Sequence, residues 1–334
     1  MKRYGNLFEE IISFENLYIA SQKAFRGKKD RERVAKFYFN LENELLCIRE
    51  ELLDKTYLPM PLRIFHIYEP KEREIGASDF RDRVVHHAIC NKIESILDQT
   101  FISHSYACRK GKGTHGAILH AQVFSRKYSY FLKCDISKYF ASIDHEVLKR
   151  MLAGKFKDPD LLWLLYLIIN SYYSESQQKG IPIGSLTSQL FANMYLDRLD
   201  HYIKDVLKVK AYLRYMDDFI IFADDKAELH LLHAKIRTFL RSELRLEMKE
   251  KEVIVSPVTE GIPFLGFRIF PSLIRLKHEN KKRTLRRINS KIREFKLGIL
   301  DEEKYCQSLM SSTEHLKTGN TYRFRKEVFF KMFF

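Results

Sequence analysis

Several protein classes are closed off by what this chain lacks. Its longest uninterrupted apolar run, Leu161 to Ile169, is far short of the twenty or so residues a bilayer span needs, so no membrane association is expected. The opening residues, MKRYGNLFEE, place no apolar core ahead of their acids, so secretion is not expected and a cytoplasmic location is. Cysteines stand only at 47, 90, 108, 134 and 306, an odd number with no CxxC pair, which fits neither a disulfide framework nor a zinc ribbon. The histidines include the pair His86-His87 but no HExxH spacing. There is no repeat, low-complexity tract or Gly/Ser linker, so contiguous, packed lobes are expected.

Acids are also in short supply. Against 43 Asp and Glu stand 58 Lys and Arg, a formal charge of +15, while 45% hydrophobic residues make this a globular composition. From Pro271 to Phe334 there are sixteen Lys and Arg and seven Asp and Glu, so more than half of the excess sits in the last fifth of the chain. Segments such as KKRTLRRINSKIREFK and TYRFRKEVFFKMFF have the cation-aromatic mixture of phosphate-tracking helices, although charge runs more often are solvated faces.

Periodicity orders the elements. Residues 31–54 carry Val34, Phe37, Leu41, Leu45, Ile48 and Leu52 at helical steps. The Pro-punctuated stretch beyond them predicts a hairpin from LRIFHIYEP and KEREIG, and RDRVVHHAICNKIESILDQTF returns to a helix. YFLKCDI reads as a strand ending in an acid; Asp144 should cap a helix, and DLLWLLYLIINSYY should be a buried one. After GIPIG a long helix is expected over 186–206. AYLRY and FIIFA flank Met-Asp-Asp as a hairpin, ELHLLHAKIRTFLRSEL is helical, and VIVS and FLGFRIF are strands. The central order is then β-α-β-β-α-β, a ferredoxin-like split βαβ, within an α+β chain.

That order places the end of the first strand beside the turn of the hairpin. Asp135, Asp217 and Asp218 would meet there and repel unless cations sit between them. Hard divalent ions held by carboxylate oxygens, with positions open to phosphate, describe Mg²⁺ sites, and a pair of them suits phosphoryl displacement. Asp224-Asp225 is a decoy: it leads straight into a polar helix and reads as a strand end and helix cap.

FLKCDISKYFASID, GIPIGSLTSQLFANMYLDRLD, RYMDDFIIF and FLGFRI, in that order, resemble the successive motifs of reverse transcriptases. PKEREIGASDFRDRVVHHAI and FISHSYACRKGKGTHGA resemble the fingers segments of the same family. The likeness runs over roughly residues 70–270 and implies a right-hand polymerase with fingers, ferredoxin-like palm and helical thumb. The implied division is N-terminal helices and fingers over 1–128, palm over 129–270 with a fingers portion around 155–180, and a basic thumb over 271–334.

The resemblance implies roles residue by residue. Asp135, Ile136, Asp217 and Asp218 would surround two Mg²⁺ ions, with Mn²⁺ as a substitute. Lys71 and Arg73 would neutralise the incoming deoxynucleoside triphosphate. Phe140, five positions after Asp135, matches the aromatic gate that rejects a 2′-hydroxyl. Gly180, Gly184 and Ser188, with Ile183, belong to the helix start under the nascent base pair. Lys251, with Lys249 close by, matches the lysine that can protonate pyrophosphate. FLGFRI looks like the primer grip. Arg109 would touch a nucleic-acid backbone, and Lys281, Lys282, Arg283, Arg286 and Arg287 would do so from the thumb.

Pro182-Ile183-Gly184 stands where group II intron and retroviral relatives usually read Pro-Gln-Gly, and Ser188-Gln189 where intron-type enzymes have Ser-Pro. With CRKGKGTH, this wording resembles the reverse transcriptases of diversity-generating retroelements. Those bacterial and phage enzymes copy a template-repeat RNA into cDNA that is mutated at template adenines, together with a small basic accessory protein. The expected partners are therefore template RNA, a DNA or RNA primer, deoxynucleoside triphosphates and such a protein. The competing readings are a retron, group II-like or phage-defence reverse transcriptase, and a catalytically silent RNA-binding scaffold. No RNase H or Cys/His-rich endonuclease segment is expected after the thumb.

Overall fold

The computed structural model describes residues 3–27, 32–68, 72–172 and 178–333, with side chains described to 328. Packing divides the chain into two compact units. The first comprises Met1–Ile102, Ile136–Val206 and Ile236–Met248; the second comprises Ser103–Asp135, Leu207–Lys235 and Lys249–Phe334. The stretch expected to be palm is thus distributed over both.

In the first unit the helix Phe80–Asp98 packs against the helices Phe14–Phe25 and Leu186–His201. Its start is fixed by Asp79, whose carboxylate accepts from the Arg81 amide at 3.2 Å. It buries Val84, Val85, Ala88, Ile89, Ile93 and Leu97. The Asn16 amide donates to the carbonyls of Ile11 and Ala88, at 2.9 and 3.1 Å, tying three helices together. The helix expected over 31–54 is two, Glu32–Phe39 and Leu41–Leu53. The break falls at Asn40, whose backbone leaves the helical region at φ −117°, ψ 34°. Asparagine competes for backbone hydrogen bonds and so marks such a boundary. The expected hairpin forms as β1 (Arg63–Ile67) antiparallel to β2 (Arg73–Ala77), and its first strand is exposed throughout.

Asp144 caps the helix His145–Lys155, accepting from the amides of Glu146 and Val147, both at 3.1 Å. Asp158 does the same for Pro159–Ser171, a helix that buries Leu161, Leu164, Leu165, Ile168 and Ile169. The long helix expected over 186–206 ends at His201 and continues as a π-helical turn, Tyr202–Val206.

The second unit holds a four-stranded antiparallel sheet of β3 (Tyr130–Cys134), β4 (Tyr212–Tyr215), β5 (Asp218–Ala223) and β6 (Ile254–Pro257). Its order, β4-β5-β3-β6, is that of the ferredoxin-like split βαβ. Alternation along β3 and β5 buries Phe131, Phe222 and Ile220 together with Ala117, Ile118 and Ala121 of the helix Gly113–Ser125. The decoy acids serve structure. Asp224 accepts from the amide and hydroxyl of Ser129, and Asp225 accepts from the Ala227 amide at 2.9 Å.

FLGFRIF is not one strand but a turn between β7 (Ile262–Phe264) and β8 (Phe267–Ile269), with β9 (Ile274–Leu276) beside β8. Leu265 and Gly266 take φ of 45° and 87°, the left-handed pair that a tight hairpin turn requires. The Gly266 carbonyl accepts from the Lys277 amide at 3.1 Å and from the Asn280 side chain at 3.0 Å. Asn320 closes the far end of this small sheet: its amide donates to Ile274 and its side chain accepts from Ile274, each at 2.8 Å. Three helices complete the unit, His278–Lys296, Glu302–Lys317 and Tyr322–Phe333, around Ile288, Leu316, Phe324 and Val328.

Candidate active site

The sheet of the second unit carries its acids at one end. Pairing of β3 with β5 sets Cys134 opposite Phe219, so the next step of the ladder brings Asp135 alongside Asp218. Asp217 occupies the tight turn between β4 and β5, where Met216 takes φ 56°. Arg214, fully buried on β4, supports that turn by donating to the Met216 carbonyl at 3.1 Å. The Thr114 hydroxyl meets the Tyr215 hydroxyl at 3.1 Å on the other side.

The three acids share one end of the sheet, close enough that Asp135 and Asp217 act on Asp218. Among the described residues, no three His, Cys, Asp or Glu side chains are arranged to hold a metal ion. Two lysines stand against these carboxylates. Lys133 Nζ lies 2.8 Å from Oδ1 of Asp218, and Lys249 Nζ lies 3.8 Å from Oδ2 of Asp135. Lys249 also pairs with Glu252 at 3.0 Å, and its amide donates to the Asp135 carbonyl at 2.9 Å.

The charge at this end is unbalanced. Burial first, then Asp135 and Asp217, push the Asp218 carboxyl up to about 7 against the opposing pull of Lys133. Its Oδ1 is buried and has no directed hydrogen bond, so the Lys133 contact is an ion pair by distance rather than an aligned bond. Three neighbouring carboxylates, one of them buried, are an oxygen set that suits a hard divalent cation.

Lys251 stands in the exposed 3₁₀ turn Glu250–Glu252; of the two candidate lysines it is Lys249 that reaches Asp135. Arg109 is half-buried and donates to the Ser105 carbonyl at 2.9 Å, bracing its own loop. Lys71 lies outside the described residues. Arg73 opens β2 and is exposed.

Arg73, Ile136, Phe140, Ile183 and Gly184 all fall in the first unit. Ile136 is buried and bridges to Met248. Phe140 is half-buried against Tyr139, and its carbonyl accepts from Ile181 at 2.9 Å. The Ile183 carbonyl accepts from the Gly76 amide at 3.0 Å, which docks this segment on the β1–β2 hairpin. Gly184 has φ 118°, and a Cβ there would lie 3.1 Å from the Gly76 carbonyl, so the approach needs glycine. Behind it runs a buried relay: the Tyr172 hydroxyl reaches Ser185 at 3.2 Å, Ser185 reaches Thr187 at 3.1 Å, and Thr187 meets His86 Nδ1 at 2.9 Å.

The five cations expected on the thumb divide. Lys281 lies 4.7 Å over the ring of Phe324, and Arg287 donates to Ser312 at 2.8 Å, so both help hold the bundle together. Lys282 and Arg286 are exposed and Arg283 is half-buried.

Sequence reasoning missed two groups. Lys133 and Arg214 are buried ionic residues inside apolar strands, and their presence in YFLKCDI and AYLRY was the available signal. A cavity of about 470 Å³ lined by Arg268, Phe270, Arg275, Lys277 and His278, with Pro263, Leu276 and Glu279, also went unread. Its residues come from three short strands and a helix start.

A ferredoxin-like sheet with paired acids on its central hairpin is the palm layout of a nucleotide-polymerising right hand. The chain belongs to the reverse transcriptase (RNA-dependent DNA polymerase) family, whose model matches residues 69–269. It is 25% identical over 272 residues to protein YkfC of Escherichia coli K12, covering 68% of this chain and 71% of that one. It is 24% identical to the group II intron-encoded protein LtrA of Lactococcus lactis, covering 90% of this chain and 62% of that protein's length. In fold it resembles telomerase from Candida albicans solved with a fragment of telomeric RNA, with TM-score 0.50 and 11% identity over 84% of this chain and 60% of that one. The family generally uses divalent metal ions. Among the described residues no helix is long and apolar enough to cross a membrane.

Proposed function

We propose that this chain is an RNA-directed DNA polymerase that copies a template-repeat RNA into adenine-mutated cDNA, as in diversity-generating retroelements. The observation that carries the polymerase reading is the register that brings Asp135 alongside Asp218, with Asp217 in the adjoining turn. Asp135 and Asp217, with the carbonyl of Ile136, would hold Mg²⁺, for which Mn²⁺ can substitute; Asp218 is their less directly engaged neighbour. Bound there, divalent ions would supply charge stabilisation to the transferring phosphoryl group.

The remaining roles belong to the chain's own side chains. Lys71 and Arg73 neutralise the deoxynucleoside triphosphate. Phe140 tests its sugar, and Ile183-Gly184 lies under the new pair. Lys249, placed beside Asp135, or Lys251 donates the proton to departing pyrophosphate. Arg268, Arg275 and Lys277 of the cationic cavity hold phosphates of the primer strand, and Arg109, Lys282, Arg283 and Arg286 follow the nucleic-acid backbone. Fingers, palm and thumb take the boundaries expected from sequence. The setting is a bacterial cytoplasm, with template RNA, primer and a small basic accessory protein.

Primer extension on RNA with Mg²⁺ tests the chemistry. Asp217→Asn is expected to cut incorporation by about 10²-fold or more. Equal incorporation by both proteins would reject catalysis at the hairpin and leave an RNA-binding scaffold.

Infidelity has a physical basis in Ile183. A glutamine there would offer hydrogen bonds to the nascent pair, whereas isoleucine leaves discrimination to shape and pairing. A loss of ~1.4 kcal/mol of discrimination means tenfold more misincorporation. Ile183→Gln should therefore lower adenine errors; unchanged errors with intact synthesis would refute this source. The similarity to an intron-encoded protein favours a group II-like enzyme as the second reading, and uniformly faithful copying of template adenines by the unmodified protein would select it.

A further inference from the structure

We propose that the cavity over β7, β8 and β9 is a pocket for one unstacked nucleotide. Arg268, Arg275 and Lys277 hold its phosphate, and its base lies against Phe270 and Arg275. The inference rests on the reading of these cations as phosphate holders and goes beyond it by assigning the rest of the cavity.

Strand register makes the pocket. Ile262, Ile269 and Ile274 form one row across the small sheet, and Phe264, Phe267 and Leu276 form another. Both rows pack into the hydrophobic core of the second unit. The row between them, Pro263, Arg268 and Arg275, belongs to the opposite face, and both arginines are exposed. Arg268 and Arg275 are direct cross-strand partners. Like charges so placed destabilise a sheet, and a shared anion relieves them. Among the described residues, no carboxylate forms an ion pair with either arginine or with Lys277. Lys277 is fixed beside them, its amide donating to the Gly266 carbonyl at 3.1 Å. Burial first, then the charge of Lys133, lowers its pKa from the ordinary lysine value, with Asp218 and Glu279 opposing.

Charge accounts for only part of the space. The cavity measures about 470 Å³, the size of a small-molecule pocket rather than of a single backbone phosphate contact. Its apolar wall is the half-buried ring of Phe270, with Pro263 and Leu276. The ring packs over Gly261, where an added Cβ would collide with it. The Arg275 guanidinium carbon lies 5.6 Å from the ring centroid. An aromatic ring with a guanidinium over it is a surface on which unstacked bases lie in single-strand sites. Glu279, the acid of the lining, is an acceptor for a base amino group or a sugar hydroxyl.

The test is calorimetric titration of the whole protein, in EDTA, with deoxyadenosine monophosphate, deoxyribose 5-phosphate and inorganic phosphate. The nucleotide should bind about tenfold more tightly than either base-free ligand. Phe270→Leu should weaken nucleotide binding by about fivefold or more and leave phosphate binding within about twofold. Arg268→Gln and Arg275→Gln should each weaken both ligands by about fivefold or more. The nucleotide can belong to a strand or be free, and a single-stranded DNA octamer separates the two. Displacement of the nucleotide by the octamer, and not by an abasic octamer, places the ligand in a strand. Nucleotide binding that the octamer leaves untouched makes the ligand a free nucleotide.

Nucleotide bound no better than deoxyribose 5-phosphate would overturn the proposal and leave the arginines holding phosphates alone. That comparison uses the unmodified protein, so it decides even where Phe270→Leu does not fold. Nucleotide binding indifferent to a folded Phe270→Leu, or absent altogether, would overturn it as well. Octamer and phosphate binding both indifferent to Arg268→Gln and Arg275→Gln would reject the underlying reading of these cations.

Discussion

Replacing His86 with glutamine removes a titration that the fold suppresses. His86 is 5% exposed on the helix Phe80–Asp98, and its Nδ1 meets the Thr187 hydroxyl at 2.9 Å. Burial, reinforced by His87 and Arg83, lowers its pKa from 6.5 to about 3. In the unfolded chain the ring takes up a proton below its ordinary pKa, whereas the folded chain refuses it until near the lowered value. The unfolded state therefore binds more protons across this window, and stability is lost as pH falls through it. Above the window both rings are neutral and the residue contributes no pH dependence.

Between about pH 7.5 and about pH 5 the loss comes to roughly 2 kcal/mol from this one group. Urea unfolding of the unmodified protein and of His86→Gln at both pH values isolates it, because all other titrations are common to the two. The stability difference between them should shrink or reverse by roughly 2 kcal/mol on acidification. Parallel pH dependence in the two proteins, or a His86 ring signal titrating near its unperturbed value, would refute the reasoning. The effect bears on function because Thr187 and Ser185 start the helix that follows Ile183-Gly184.

Two further outcomes are expected. Gly266→Ala drives a Cβ into the Asn280 amide nitrogen at φ 87°, and should cost about 1–3 kcal/mol in a thermal or urea melt; an unchanged melt would deny that the turn is held as described. Neutralising Lys282, Arg283 and Arg286 to glutamine should flatten the salt dependence of template-RNA binding by about 0.7 per lost phosphate contact, measured by filter binding. Lys281 and Arg287, engaged with Phe324 and Ser312, should instead lower the melting temperature when replaced.

Local pattern exposed the sheet strands because apolar alternation is a property of neighbouring residues. Tyr130–Cys134 and Asp218–Ala223 could be read without knowing their partners, and so could the acids at their ends. The cap Asp144 was equally legible, since a cap acts within three residues. The errors share a cause as well. Leu265 is not a residue expected in the left-handed region, so the turn that divides FLGFRIF left only Gly266 as its signal. The ion pair of Lys133 and Asp218 joins residues 85 positions apart, and no periodicity reports it. The division into two units, each assembled from three separated segments, is likewise a property of packing rather than of composition.

The small three-stranded sheet is fastened twice to the helices that follow it, at Gly266 through Lys277 and Asn280 and at Ile274 through Asn320. A strap at each end converts sheet and bundle into a single lever. Any swing of the basic helices must carry the β7–β8 turn along, so the two cannot be set independently. A substitution that slackens either fastening would let sheet and bundle shift separately.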